Sequence, residues 1–217
     1  MSCRSVSAAY LRLLEGVLAS DVALVQSIEV LSPWVGDELN EDHGVRAAFD
    51  AYAFPDGRNG AWWIEDRMHA LFHEKGEYAA RLERSGYGYV MEALGGMKAG
   101  THPSWNRNRL VLSLFTKDDF HRSRAPTPPC MVNLAFYPVG DTLSLVACFR
   151  AQYVDAKAYG NLVSLAVLLK KVCASTGFKP GSLGNVALKA ILKYPRSTAV
   201  QLRLVLLKAS NNGKAGA

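Results

Sequence analysis

An α/β fold in one domain spanning residues 1–217 is the expectation from sequence, and three observations carry it. Over 217 residues the chain is 49% apolar and 20% charged, an ordinary globular balance in a length that suits one large core. The second half sets short apolar runs around one nearly all-apolar segment of helical length. The first half carries apolar residues at helical spacing.

Taken in order, residues 6–31 place Tyr10, Leu11, Leu14, Val17 and Leu18, then Val22, Val25 and Ile28, at helical intervals. This predicts two helices punctuated near Ser20 and ended by Pro33. Residues 35–60 are rich in Asp, Gly and Asn and read as loop, with a short helix over 45–52. A helix is expected over 65–84, where Met68, Leu71, Phe72, Tyr78, Ala79 and Leu82 lie near one face. Gly86, Gly88, Gly95, Gly96 and Gly100 mark a loose middle section. Strands are expected at 110–115, 131–137 and 142–150, the last two joined by Pro138-Val139-Gly140-Asp141 and preceded by a proline-rich loop over 117–129. Residues 161–173 read as a buried helix closed by Gly177 and Pro180. Val200, Leu202, Leu204 and Leu206 alternate, which predicts a final strand over 198–207 and a frayed tail over 211–217.

The formal charge of +6 and pI of about 9.2 favour anionic partners. The charge is scattered, with neither a Lys/Arg block nor aromatic interleaving, so a nucleic-acid-binding module is disfavoured. Cys3, Cys130, Cys148 and Cys173 form no CxxC pair, which fits reduced thiols in a cytoplasmic protein better than a disulfide framework or zinc site. No apolar run of about 20 residues occurs, so a membrane partner is not expected. His69 and His73 are i,i+4 but lack a third ligand, so no metal is expected. Trp62-Trp63 could stack a ring or fill the core.

Four positions carry chemistry together. Arg109 opens the strand at 110, Cys130 ends the proline loop, Arg150 ends the hairpin, and Asn161 begins the buried helix. A hairpin returns the chain to its starting level, so Cys130 and Arg150 can be neighbours at one end of a sheet. A cation beside a thiol stabilises the reactive thiolate. Two guanidinium groups can clamp a phosphate, with Arg107 an alternative to Arg109. Asn161 either caps its helix or presents a donor and an acceptor to a ligand. Cys148 and Cys173 read as packing.

At these residues the chain resembles thymidylate synthase, over about residues 105–181. The resemblance rests on Asn108-Arg109-Leu110-Val111-Leu112-Ser113, Pro128-Pro129-Cys130, Leu143-Ser144 to Phe149-Arg150, Tyr159-Gly160-Asn161 and Lys179-Pro180-Gly181. The intervals from cysteine to arginine to asparagine match without a gap. The resemblance implies a mixed, twisted sheet packed with helices, and a homodimer. It implies that Cys130 adds to C6 of a pyrimidine nucleotide, so that C5 takes a methyl or hydroxymethyl group from methylenetetrahydrofolate. Arg150 would hold the phosphate, Arg109 that of the neighbouring subunit, and Asn161 the base edge. Tyr87, Tyr89, Tyr153 and Asp155 are the candidate accessory residues. The chain departs from the family pattern at Met131, Ala151 and Tyr153, where the family has histidine, serine and a pterin-binding aspartate. The ribose-binding segment after Gly181 has no counterpart. These departures point to an altered substrate; the alternative is a degenerate, non-catalytic homologue that binds a phosphate ligand or a partner protein.

Overall fold

The computed structural model describes residues 1–20, 24–53, 77–101, 110–117, 119 and 128–214. Its first helix, α1 (Val6–Leu18), is capped by Ser5, whose hydroxyl accepts from the Ala8 N–H at 3.2 Å. It buries Val6, Ala9, Tyr10, Leu13, Leu14 and Val17. A two-residue strand, β1 (Ser2–Cys3), runs parallel to β2 (Leu24–Val30). A small ribbon of β3 (Trp34–Val35) and β4 (Glu38–Leu39) leads into α2 (His43–Ala53), the short helix expected over 45–52.

Residues 24–30 are a strand, not the second half of a helical pair. Gln26, Ile28 and Val30 face inward while Val25 is 70% exposed, so the true period is two. The signal was masked because an inward position holds glutamine, whose Nε2 donates to the Leu13 carbonyl at 3.2 Å inside the core. Of the helix expected over 65–84, the described part is α3 (Glu77–Arg84). The glycine-rich stretch expected to be loose forms α4 (Tyr87–Lys98), which buries Val90, Ala93 and Leu94. A Cβ at Gly88 or Gly95 would meet nothing within 4 Å, so neither glycine is imposed by crowding. Burial of the opposite face outweighs their poor helix propensity.

The second half follows the expectation more closely. β5 (Val111–Ser113), β6 (Met131–Val139) and β7 (Thr142–Phe149) form an antiparallel meander, with Gly140 at φ 57° in the turn between the last two. β8 (Gln152–Tyr153) and a five-residue π-helix over Val154–Ala158 lead into α5 (Tyr159–Thr176), buried along nearly its whole length. Gly177 closes α5 in the left-handed conformation at φ 81°.

The chain then forms β9 (Lys179–Ile191), a long strand parallel to β7 and antiparallel to β2. Gly181 and Gly184 suit it because a Cβ there would come within 2.7 Å of Ser144 and 2.9 Å of Val146. The strand expected over 198–207 is instead α6 (Arg196–Lys214), which also takes in part of the stretch expected to fray. Ala199, Leu202 and Leu206 are buried at helical spacing, while Val200 and Leu204 face outward.

The result is a mixed α/β architecture. One sheet has the strand order β1-β2-β9-β7-β6-β5, with β8 beside β9. Helices α1 and α5 pack on the sheet and on each other, so they share one face. Strands β5, β6 and β7 contain no charged residue, yet Val111 and Tyr137 on the opposite face are about half exposed. Among the described residues no helix is long and apolar enough to cross a membrane.

Candidate functional site

β7 and β9 run parallel, and α5 carries the chain back between them, so their carboxyl ends and the start of α5 lie at one edge of the sheet. In open sheets of this kind that edge is where ligands bind. The start of β6 reaches the same edge because β6 is antiparallel to β7. Met131 pairs with Phe149, and the Arg150 N–H donates to the Cys130 carbonyl at 2.9 Å. Cys130 and Arg150 are therefore adjacent, as their 20-residue spacing predicts. A register shift between Met131 and Asn133 sits next to Cys130, the kind of irregularity that re-aims a side chain at a strand end.

The Cys130 thiol is half-buried and free. The Arg150 side chain is exposed and bends back over the proline pair. Its Nε donates to the Pro129 carbonyl at 3.3 Å and its Nη2 to the Pro128 carbonyl at 3.1 Å. Among the described residues no carboxylate pairs with it. The two carbonyls orient the guanidinium without cancelling its charge, and donors remain for an incoming anion. A thiol and an oriented cation with no carboxylate partner among the described residues thus share the strand end.

Asn161 lies at the same end, in the first turn of α5, and is 8% exposed. It is not the cap: the N-cap position is Ala158, and the π-helix continues the backbone upstream. Its amide makes no hydrogen bond among the described residues, which leaves the ligand reading standing. Arg107 and Arg109 lie outside the described residues, as do Trp62, Trp63, His69 and His73.

Among the described residues no hydrogen bond joins an accessory candidate to the thiol. Asp155 is fully buried, and its two oxygens accept from the Lys193 and Tyr194 N–H groups at 2.7 and 2.9 Å. It fastens the corner between β9 and α6 and corrects the expectation of a ligand role. Tyr87 lines a groove of about 390 Å³ with Leu82, Glu83, Leu168, Lys171 and Ser175. That is the far half of α5, roughly 15 Å along the helix from Asn161 at about 1.5 Å per residue. Burial pushes its phenol pKa up. Tyr89 and Tyr153 are exposed on α4 and β8.

Cys148 and Cys173 lie within packed elements. Cys173 is buried, and desolvation raises its pKa to about 11. Cys148 is half-buried between strand neighbours, and desolvation raises its pKa too. Both fit the packing role expected. Two residues carried no sequence signal for a role at this edge. Tyr78 on α3 accepts the Met131 N–H at 3.2 Å, one peptide from the thiol. Arg81, one turn on, binds Asp119 through both carboxylate oxygens at 2.7 and 2.9 Å. Arg81 holds the Asp119 carboxyl well below the usual carboxylate range.

Among the described residues no carboxylate is identified that would serve as the folate ligand the resemblance implies. Tyr153 occupies the place of the expected aspartate, and the nearest carboxylate in sequence, Asp155, is sealed on backbone amides. Among the described residues no group of three or more His, Cys, Asp or Glu side chains is placed to hold a metal. In comparisons with known proteins, the chain matches no family model and no curated sequence.

Proposed function

We propose that this protein binds the phosphate of a pyrimidine nucleotide monophosphate, or a related nucleotide-like substrate, on Arg150 and activates its C5 through a covalent adduct with Cys130. The observation that carries this reading is the adjacency, at the carboxyl edge of β7 and β9, of a half-exposed thiol and a guanidinium that meets no carboxylate among the described residues. The resemblance to thymidylate synthase supports it, and the start of α5, which carries Asn161, lies at the same edge of the sheet as Cys130 and Arg150.

The chemistry follows from the thiol. The Cys130 thiolate forms a bond to C6, and the ring's C5–C6 electron pair moves onto C5 and the conjugated carbonyl. C5 then takes an electrophile. If that is a proton from water, loss of the original C5 hydrogen and expulsion of the thiolate restore the ring, with hydrogen exchanged. If it is a one-carbon unit at the formaldehyde level, C5 loses its hydrogen as a proton and the thiolate leaves C6. Capture of water then gives a C5-hydroxymethyl nucleotide, whereas a C5-methyl nucleotide needs in addition a hydride, which the one-carbon donor would supply by its own oxidation. Because no such folate ligand is identified among the described residues, the one-carbon donor is a separate arm of the test. Asn161 reads the base edge in this scheme.

The protein also acts as a homodimer in this reading. Supporting it, β5, β6 and β7 present an uncharged outer face, which a solvent-facing antiparallel sheet does not ordinarily do. Four free cysteines suit the reducing cytoplasm.

The test is tritium release from C5-labelled uridine and cytidine monophosphates, in ribo and deoxy forms, with and without methylenetetrahydrofolate. Release by the wild-type chain that disappears in Cys130→Ser is expected. Release that survives Cys130→Ser overturns the covalent role. Phosphate-dependent nucleotide binding with no release from any substrate favours a non-catalytic phosphate-binding homologue, a reading supported by the sealed carboxylate of Asp155.

A further inference from the structure

The peptide that carries Cys130 is held from outside the sheet. β5 pairs with β6 as far as Ser113 opposite Asn133, with one more bond from the Leu114 N–H to the Val132 carbonyl at 2.7 Å. The described chain gives β6 no ladder partner on that side beyond this point. The Cys130 carbonyl points toward β7, where it accepts from the Arg150 N–H. A trans peptide directs its N–H the opposite way, so the Met131 N–H faces the side that β5 has left. Met131 is fully buried, and a buried donor without an acceptor is costly.

Tyr78 supplies the acceptor, with its Oη 3.2 Å from the Met131 nitrogen. Three residues further along α3, Arg81 donates to the Leu114 carbonyl at 2.8 Å and holds Asp119. Residues at i and i+3 share one helix face. That face therefore satisfies a backbone group on each side of the place where β5 ends. One of the two groups belongs to the residue next to Cys130.

We propose that Tyr78 is a positioning residue for the Cys130 thiol: its hydroxyl fixes the Cys130–Met131 peptide and thereby the direction in which the sulfur points. The inference rests on the reading of Cys130 as nucleophile, but its test needs no nucleotide. Arg150 orients the anion from the β7 side, and Tyr78 orients the sulfur from the opposite side of the same peptide.

The experiment is site-resolved alkylation of the folded full chain with iodoacetamide, read by mass spectrometry for Cys130 and Cys148 in the same molecules. In Tyr78→Phe, which deletes the acceptor and keeps the ring, the Cys130 rate is expected to shift at least about fivefold from wild type, the scale of one net hydrogen bond. The Cys148 rate is expected to stay within about twofold, because β7 does not depend on that bond. A smaller shift at Cys130, or a Cys148 rate that follows it, makes Tyr78 a general packing residue and overturns the proposal. If Tyr78→Phe does not fold, the Met131 amide of the wild-type chain decides. Hydrogen exchange slowed on the order of a hundredfold relative to an unprotected amide is expected, and free exchange overturns the proposal. Failure of tritium release with a Cys130 shift intact would sink the nucleotide chemistry and leave the positioning contact standing.

Discussion

Arg81 and Arg150 carry the same guanidinium in opposite circumstances. Arg81 is 7% exposed and meets both oxygens of Asp119 and the Leu114 carbonyl, so its charge is neutralised by a side chain that is itself nearly buried. Arg150 stands in solvent and rests on two neutral carbonyls. A carboxylate both orients and neutralises a guanidinium, whereas carbonyl dipoles orient it and leave the charge. The first arrangement holds structure together, and the second suits an anionic ligand. Both sit beside the segment that delivers Cys130, one at its entry and one against its exit.

The largest effect expected from breaking this contrast is at Arg81. Arg81→Met keeps the packing length and removes the cation from Asp119, leaving the Thr116 N–H and hydroxyl as its donors. Breaking a buried pair in this way costs about 3–5 kcal/mol. For a chain of this size that is a fall in Tm of about 6–20 °C, measured by calorimetry or thermal circular dichroism. The pH dependence gives a second signature. Asp119 is held below its unfolded pKa, so the stability it contributes is present above about pH 4 and is lost as the pH falls toward the folded value. Unfolding titrations from pH 6 to pH 2 should show this acid-side loss in wild type and much less of it in Arg81→Met. An unchanged acid limb would mean that the pair does not set Asp119.

At Arg150 the expectation reverses, with little change in stability and a large change in binding. Arg150→Gln should move the unfolding free energy by less than about 1 kcal/mol, because an exposed side chain on two carbonyls contributes little. Binding of a pyrimidine nucleotide monophosphate, read by calorimetric titration, should weaken about 10- to 100-fold, the loss of charge-assisted hydrogen bonds to phosphate. Arg150→Lys should recover part of it, since the charge remains and the fork is lost. Equal effects of both variants on stability and none on binding would place Arg150 with Arg81 as a structural residue.

The same contrast explains what was readable in the sequence. Cys130 and Arg150 are joined by a continuous hairpin, so spacing and alternation suffice to bring them together. Asn161 follows through one short connection and lies, as expected, at the start of the buried helix. Tyr78 and Arg81 reach the site from a helix distant in sequence, through a hydroxyl and a guanidinium that no periodicity marks. The misread elements have similar causes. An inward Gln26 hid the period of β2, helix-disfavouring glycines hid α4, and outward Val200 and Leu204 gave α6 the look of a strand. In each case tertiary burial decided between local signals that were close in energy. Asp155 shows the reverse case: a carboxylate near the expected folate position in sequence, turned inward by a π-helix to bind the Lys193 and Tyr194 amides.

The smallest effect is expected at the other end of the same hairpin. Asp141, beside the Gly140 turn, pairs with Lys98 and with Lys179, the latter at 3.0 Å. It is two cations' shared partner, more ion pairs than Asp119 makes in the described structure, yet its side chain is 51% exposed against 5% for Asp119. If the number of partners set the energy, Asp141→Asn would be the more damaging change. Solvent screening predicts the opposite, a loss of about 0.5 kcal/mol at low salt. That loss should shrink further at 1 M salt, where the Debye length falls to about 3 Å. Urea unfolding of Asp141→Asn at low and high salt measures it. A loss approaching that of Arg81→Met, insensitive to salt, would show that burial is not what separates the two ends, and the division between structural and ligand-facing charge drawn for Arg81 and Arg150 would lose its basis.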